Sequence, residues 1–299
     1  MAGPVSETPR RVLAATLIVA VAGGALAADF LWLRMDVFLN VVLSLATVLA
    51  LGEFCDMCES WGARPFRIWS MVGAVGLIWL NWLSLSGFVP RPLGSQLVEA
   101  GAVAVIFAIF LRQSFIRENR DALPAVGMTL LGIAYLWFLP SFLIRIRHLG
   151  GAEGWLLAGN SLLISTVLLS KVSDVGAYFI GRSFGRHKLI PRISPAKSVE
   201  GSIGGLASSV GAAYACRALG ILPGLEAWWM VPAFGLLAGV TGQCGDLLES
   251  LFKRSGGVKD SGGAFPGYGG VLDVIDSLLI TAAPAYFFLR FVAGLELGP

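Results

Sequence analysis

Charge is what this sequence has least of. Only 14% of its 299 residues are Asp, Glu, Lys or Arg, whereas a soluble domain carries about 25%. Hydrophobic residues make up 56% of the chain and the mean hydropathy is +0.76. So little charge, joined to many long apolar runs, excludes a water-soluble globular protein and predicts a polytopic integral membrane protein. Cysteine is also scarce. Cys55, Cys58, Cys216 and Cys244 supply no disulfide framework. Cys55 and Cys58 form one CxxC without a second, which reads as two packing residues near a helix end rather than zinc or redox chemistry. No repeat or low-complexity tract stands out. Arg10 and Arg11 precede a long apolar run with no clear cleavage site, so that run is expected to remain as a first span.

A bilayer core needs about 20 apolar residues per helix. Nine stretches qualify, near Val12–Leu33, Val37–Phe54, Ile68–Val89, Leu97–Ile116, Pro124–Ile144, Trp155–Ile180, Gly201–Ile221, Ala227–Cys244 and Asp273–Val292. The sixth contains Lys171, Ser173 and Asp174 and is expected to break or to protrude into water. The fold class is therefore an all-α polytopic membrane protein of about nine transmembrane helices. Residues 1–299 are expected to form one integral membrane domain, with N-terminal spans in 1–123 and C-terminal spans in 124–299. Cytoplasmic loops are enriched in Lys and Arg. With the N-terminus inside, fifteen of the 22 basic residues fall on the inner side and six on the outer, with Lys171 inside a span. This predicts a cytoplasmic N-terminus in the cell inner membrane, with loops 181–200 and 245–272 facing the cytoplasm.

Those two loops hold the chemistry. The second, SLFKRSGGVKDSGGAFPGYGGVLDVID over Ser250–Asp276, carries Lys253, Arg254 and Lys259 among seven glycines, with Asp246 just upstream and Asp260, Asp273 and Asp276 within it. A spacing of three puts Asp273 and Asp276 on one helical face. They could simply cap a helix, since its N-terminus favours anions. At membrane depth, however, ionisable groups are expensive and mark functional sites. Asp oxygens suit Mg²⁺, which takes one or two carboxylates plus substrate phosphates, and glycine backbone N–H groups can approach phosphate closely. A basic loop holding anionic headgroups is the competing reading. The first loop adds Arg182, Arg186, Lys188, Arg192, Ser194 and Lys197, with Glu200 opening the next span. It suits either a lipid-surface anchor or a phosphate-bearing lipid substrate.

At these residues the sequence resembles the CDP-diacylglycerol synthase (phosphatidate cytidylyltransferase) family. That family's C-terminal motif is matched in register by Ser250, Lys253, Arg254, Lys259, Asp260, Pro266, Gly269, Gly270, Asp273 and Asp276. Upstream, Asp174, Ala177, Tyr178, Gly181, Arg182, Phe184, Gly185, Pro191, Ser194, Pro195, Lys197, Glu200 and Gly201 also match. The likeness covers roughly residues 170 to 290; the first half matches only as a series of spans. Two positions depart: the family's His in P-x-H-G-G is Tyr268, and its Arg in D-R-x-D is Val274. Tyr268 keeps a hydroxyl but no base near neutral pH, and Val274 removes a cation.

The resemblance implies transfer of CMP from CTP to phosphatidic acid, giving CDP-diacylglycerol and pyrophosphate in phospholipid biosynthesis. It implies Asp246, Asp273 and Asp276 as holders of Mg²⁺, with a second cation left open, and Lys253, Asp273 and Asp276 as catalytic groups. Lys253, Arg254 and Lys259 would contact the triphosphate, with Asp260 orienting them. Arg182, Ser194 and Lys197 would position the lipid phosphate, Ser250 completes the substrate-binding set, and Asp174 would support the site from span six. A polar, cytoplasm-facing cavity open sideways to lipid would serve both substrates. The expected partners are CTP, phosphatidic acid and membrane lipids, with no nucleic acid. Gly204, Gly205 and Ala207 suit close helix packing within or between chains, leaving a homodimer open. The competing functions are a CTP-dependent enzyme for another lipid, such as an isoprenoid alcohol or phosphate, a catalytically inactive relative, and a transporter. A transporter should carry its polar site near mid-membrane, whereas here the charges collect at span ends.

Overall fold

The computed structural model describes Gly24 and residues 37–115, 121–150, 155–258, 261–262 and 269–298. The expected first span, Val12–Leu33, lies outside the described residues apart from Gly24. Seven helices among those described are long and apolar enough to cross a membrane. The chain is therefore a mostly helical, multi-pass membrane protein. The expected span Gly201–Ile221 does form a helix, but its many Gly, Ser and Ala residues keep it out of that group.

Contacts gather the chain into two compact units. The first comprises Met1–Phe138 and Ser255–Val274. It holds α1 (Val37–Ser60), α2 (Arg67–Leu85), α3 (Arg91–Ser114) and α4 (Ala122–Ile133), which runs on into a π-helical turn at Ala134–Phe138. Its core is built from Leu51, Phe54, Cys55 and Cys58 of α1, Ala74 and Leu77 of α2, and Ile133 of α4. Both cysteines of the CxxC are thus packed in the interior. The π turn has an identifiable cause. Pro140 lacks an N–H for the carbonyl of Leu136 four residues back, and Thr47 Oγ1 donates to that carbonyl instead at 3.2 Å. On α3, Val103, Phe107 and Phe110 are exposed, an apolar face that suits lipid rather than water.

The second unit comprises Leu139–Arg254 and Ile275–Pro299. It contains α5 (Leu139–Arg147), α6 (Trp155–Phe184), a two-stranded antiparallel ribbon of β1 (Lys188–Ile190) and β2 (Ser194–Ser198), α7 (Val199–Ala218) and α8 (Met230–Ser255). It also holds most of α9 (Val271–Phe287), which is followed by a second π segment at Phe288–Val292. Helix α6 is unbroken over 30 residues, about 45 Å of helix against a hydrocarbon core near 30 Å. Its polar end projects rather than breaks. The sequence read 181–200 only as a basic cytoplasmic loop; the structure folds its later part into the ribbon, with Lys188 opposite Ser198 and Ile190 opposite Ser194. Helices α6 and α7 meet through glycine: a Cβ on Gly201 would lie 2.8 Å from the Ala177 carbonyl oxygen and 2.9 Å from Gly181 Cα. Small residues permit this approach where lipid supplies no hydrophobic drive between helices.

Candidate functional site

Helix α8 presents Asp246 and Glu249 one turn apart, and α9 presents Asp276 beside them. Oxygens of the three carboxylates lie within 4.8 Å of one another. What makes this possible is Gly245. A Cβ there would fall 2.8 Å from Ser277 Cα on α9, so only glycine lets the two backbones come so close. Glu249 and Asp276 are 1% and 6% exposed.

Three ammonium groups answer the three carboxylates. Lys197 Nζ, on β2, is 2.7 Å from Asp246 Oδ2. Lys253 Nζ, one turn along α8, is 2.5 Å from Glu249 Oε2. Lys171 Nζ, on α6, stands 4.0 Å from Asp276 Oδ1 and 3.6 Å from Asp174 Oδ2, and it donates to Ser277 Oγ at 2.7 Å. Asp276 Oδ1 also accepts the Ser277 backbone N–H at 2.6 Å. Buried carboxylates persist only when paired or bound to metal, and this group has cations within reach of every member. An all-oxygen donor set of this kind fits a hard divalent cation.

The ribbon is fastened to this cluster twice, through Lys197 and through Arg254 Nε, which donates to the Ile193 carbonyl at 3.3 Å. The two loops that the sequence singled out are therefore in contact. Ser194 opens β2, and Arg182 donates to Tyr178 Oη at 2.9 Å on an exposed face of α6. Ser250 sits on α8 next to Glu249. The base of the ribbon is held by Glu200, which accepts the backbone N–H of Arg186 at 3.0 Å and meets His187 Nδ1 at 2.6 Å. These bonds, His187 first, hold the Glu200 carboxyl down to about 2. Gln243 links α8 to its neighbours, donating to Ser173 Oγ at 3.3 Å and to the Ser202 carbonyl at 3.0 Å.

Asp273 makes a further group of contacts within the first unit. Its Oδ2 accepts the Gly270 N–H at 2.7 Å, the Ser261 N–H at 3.1 Å and the Ser261 hydroxyl at 2.8 Å. This is one half of a capping box: a carboxylate at the third helical position reaching back to the N-cap N–H. Glu53 of α1 accepts from Val271 N and Leu272 N at 2.8 Å each. At the described C-terminal end of the glycine-rich stretch, the N–H groups of Gly270, Val271 and Leu272 go to the protein's own carboxylates. Lys259, Asp260, Pro266 and Tyr268 lie outside the described residues. The structure thus places Asp246 and Asp276 with Glu249 rather than beside Asp273, and brings Lys171, Lys197 and Lys253 to these carboxylates. Glu249 had a signal, three residues after Asp246 in GDLLE, but it was hidden beside two leucines.

A multi-pass membrane protein with a carboxylate–lysine cluster defines the class, and comparison with known proteins supplies the family. The cytidylyltransferase family matches residues 10–292, and the chain belongs to that family of nucleotidyl-transferring enzymes. Phosphatidate cytidylyltransferase of Brucella suis biovar 1 (strain 1330) is 47% identical over 271 residues, covering 83% of this chain and 93% of the relative. The Synechocystis sp. (strain ATCC 27184 / PCC 6803 / Kazusa) protein of that name is 31% identical, over 91% of this chain and 95% of its own. That of Mycobacterium bovis (strain ATCC BAA-935 / AF2122/97) is 30% identical, over 97% of this chain and 92% of its own.

Proposed function

We propose that this chain joins CTP to phosphatidic acid, forming CDP-diacylglycerol and releasing pyrophosphate. The observation that carries the reading is the meeting of Asp246, Glu249 and Asp276 with Lys171, Lys197 and Lys253, in a chain whose relatives bear that enzyme's name. An oxygen of the lipid phosphate attacks the α-phosphorus of CTP; a new P–O–P bond forms and the bond to the β-phosphate bridging oxygen breaks. A phosphate monoester already carries about −1.5 to −2 charges near pH 7, so no strong base is needed. The task is to bring two polyanions together and to stabilise the charge that develops.

Asp246, Glu249 and Asp276 would hold Mg²⁺, with Asp273 ordering the adjoining loop. Bound there, the ion supplies neutralisation of phosphate oxygens and fixes their orientation. Lys253, Lys197 and Lys171 carry flexible four-carbon stems, so their ammonium groups can turn from carboxylate to phosphate once the carboxylates are engaged. Lys253 and Arg254, with Lys259 and Asp260 beyond them, serve the triphosphate. Arg182 and Ser194, on α6 and the ribbon fastened to α8, position the lipid phosphate. The excess of basic residues on these loops supports a cytoplasmic site in the inner membrane, where CTP is available.

The experiment is product analysis with the purified chain in detergent and CTP labelled at the α-phosphate. Labelled CDP-diacylglycerol from phosphatidic acid is the expected result. Label passing instead to an isoprenoid phosphate would favour the related lipid enzyme, with Tyr268 and Val274 as its specificity changes.

A further inference from the structure

We infer that Glu53 is a positioning residue for the α9 carboxylate Asp276, acting as a built-in anion at the head of that helix. The inference rests on the proposed metal-holding role of Asp246, Glu249 and Asp276.

The first N–H groups of any helix have no partner within it. At α9 a single side chain from α1, 218 residues earlier than Val271, takes two of them. Oε1 accepts from Val271 N and Oε2 from Leu272 N, both at 2.8 Å. Oε2 also accepts the Ser261 hydroxyl at 3.2 Å, and the same hydroxyl lies 2.8 Å from Asp273 Oδ2. Two carboxylates therefore share one serine, one from the helix itself and one from α1. Glycine makes room on both sides. A Cβ at Gly262 would lie 2.9 Å from Glu53 Cδ, and one at Gly270 would overlap the Glu53 carboxylate. At these two positions the loop's glycines admit an internal carboxylate.

Asp273 already supplies the local cap that a helix of this kind needs. A second anion brought from α1 is costly at membrane depth, and it does something the local cap cannot. It fixes the first turn of α9, at Val271 and Leu272, to a side chain of α1. Asp276 lies four residues beyond Leu272, about 6 Å along the same axis. A metal-holding carboxylate must be placed to within about 0.5 Å. Glutamine cannot replace Glu53, because its amide offers one acceptor oxygen and turns N–H toward a backbone N–H.

The test uses the full chain in detergent, comparing wild type, Glu53→Gln and Ser261→Ala. Mn²⁺ affinity is read by electron paramagnetic resonance, and protection of the Val271 and Leu272 amides by hydrogen exchange. Glu53→Gln should speed exchange at these amides about tenfold, since a neutral amide oxygen is a weaker acceptor than a carboxylate. It should also weaken Mn²⁺ binding about tenfold, the lower end of what supporting residues of metal sites cost. Ser261→Ala should shift both in the same direction by less, and it decides the question if Glu53→Gln does not fold. Faster exchange with unchanged Mn²⁺ affinity overturns the inference and leaves Glu53 a cap only; unchanged exchange overturns the contact itself. A wild-type chain that binds no Mn²⁺ overturns the metal reading and this inference together. One that binds Mn²⁺ but makes no CDP-diacylglycerol overturns the proposed function alone.

Discussion

Replacing Gly245 with alanine probes the site without touching a charged group. The added Cβ would lie 2.8 Å from Ser277 Cα and 3.1 Å from the Asp276 carbonyl carbon. Carbon atoms rest at about 3.5–4.0 Å, so α8 and α9 must part by roughly 1 Å. Both obstructing groups are backbone and cannot rotate aside. Overpacking of this kind costs about 1–3 kcal/mol, which lowers stability but should leave the helices formed. The catalytic cost is larger. Mg²⁺ demands ligands at about 2.0–2.1 Å in near-octahedral geometry, so parting the helices takes Asp276 out of range of an ion held by Asp246 and Glu249. A 1 Å misplacement can cost about 100-fold in rate. We expect Gly245→Ala to lose about two orders of magnitude in CDP-diacylglycerol formation and to require more Mg²⁺ for half-maximal turnover, while keeping the wild-type elution profile in detergent. Wild-type turnover with an unchanged Mg²⁺ requirement would refute the argument that this glycine sets the carboxylate spacing.

Other expected outcomes follow from single contacts. Asp273→Ala removes the acceptor for Gly270 N and Ser261; it should abolish turnover with the fold retained, and persistent turnover would remove Asp273 from the site. Lys253→Met takes away the ammonium 2.5 Å from the buried Glu249. It should lower stability by about 3–5 kcal/mol, the usual cost of breaking one side of a buried pair. The double variant with Glu249→Gln should regain stability but not activity, as read by thermal melts beside turnover. Glu200 titrates near 2 in the folded chain against an ordinary value of 4.5. Its contribution is thus fully present above about pH 4.5 and is lost as pH falls toward 2. Limited proteolysis of the ribbon should rise across that window in wild type, and Glu200→Gln should flatten the dependence.

Much of the architecture was legible because a bilayer imposes it: runs of apolar residues of spanning length show directly as helices. Seven of the nine expected spans form helices that meet the length and hydropathy of a crossing. The Gly201–Ile221 stretch shows the limit of that signal. Its residues serve close packing on α6 more than contact with lipid, and hydropathy registers the second better than the first. Asp246 and Asp276 stood out because charge is scarce in this chain and expensive at membrane depth. Glu249 did not, since in GDLLE its role depends on Gly245 bringing α9 alongside. Lys171 looked like an interruption of a span, yet it is the ammonium nearest Asp174 and Asp276 from α6. The ribbon over 188–198 was masked by two prolines and a run of basic residues, which together read as a loop. Glu53 lay beyond sequence reasoning altogether, because its partners are more than 200 residues away and its own neighbourhood is apolar.

The account stands on the claim that Asp246, Glu249 and Asp276 hold the cation that turnover requires. The most direct test is a Mg²⁺ titration of CDP-diacylglycerol formation by wild type, Asp246→Asn, Glu249→Gln and Asp276→Asn in the same detergent. The account predicts metal-dependent product from wild type, with turnover lost or the Mg²⁺ requirement raised about 10- to 100-fold in each variant. Variants that keep both wild-type rate and wild-type Mg²⁺ dependence would contradict it.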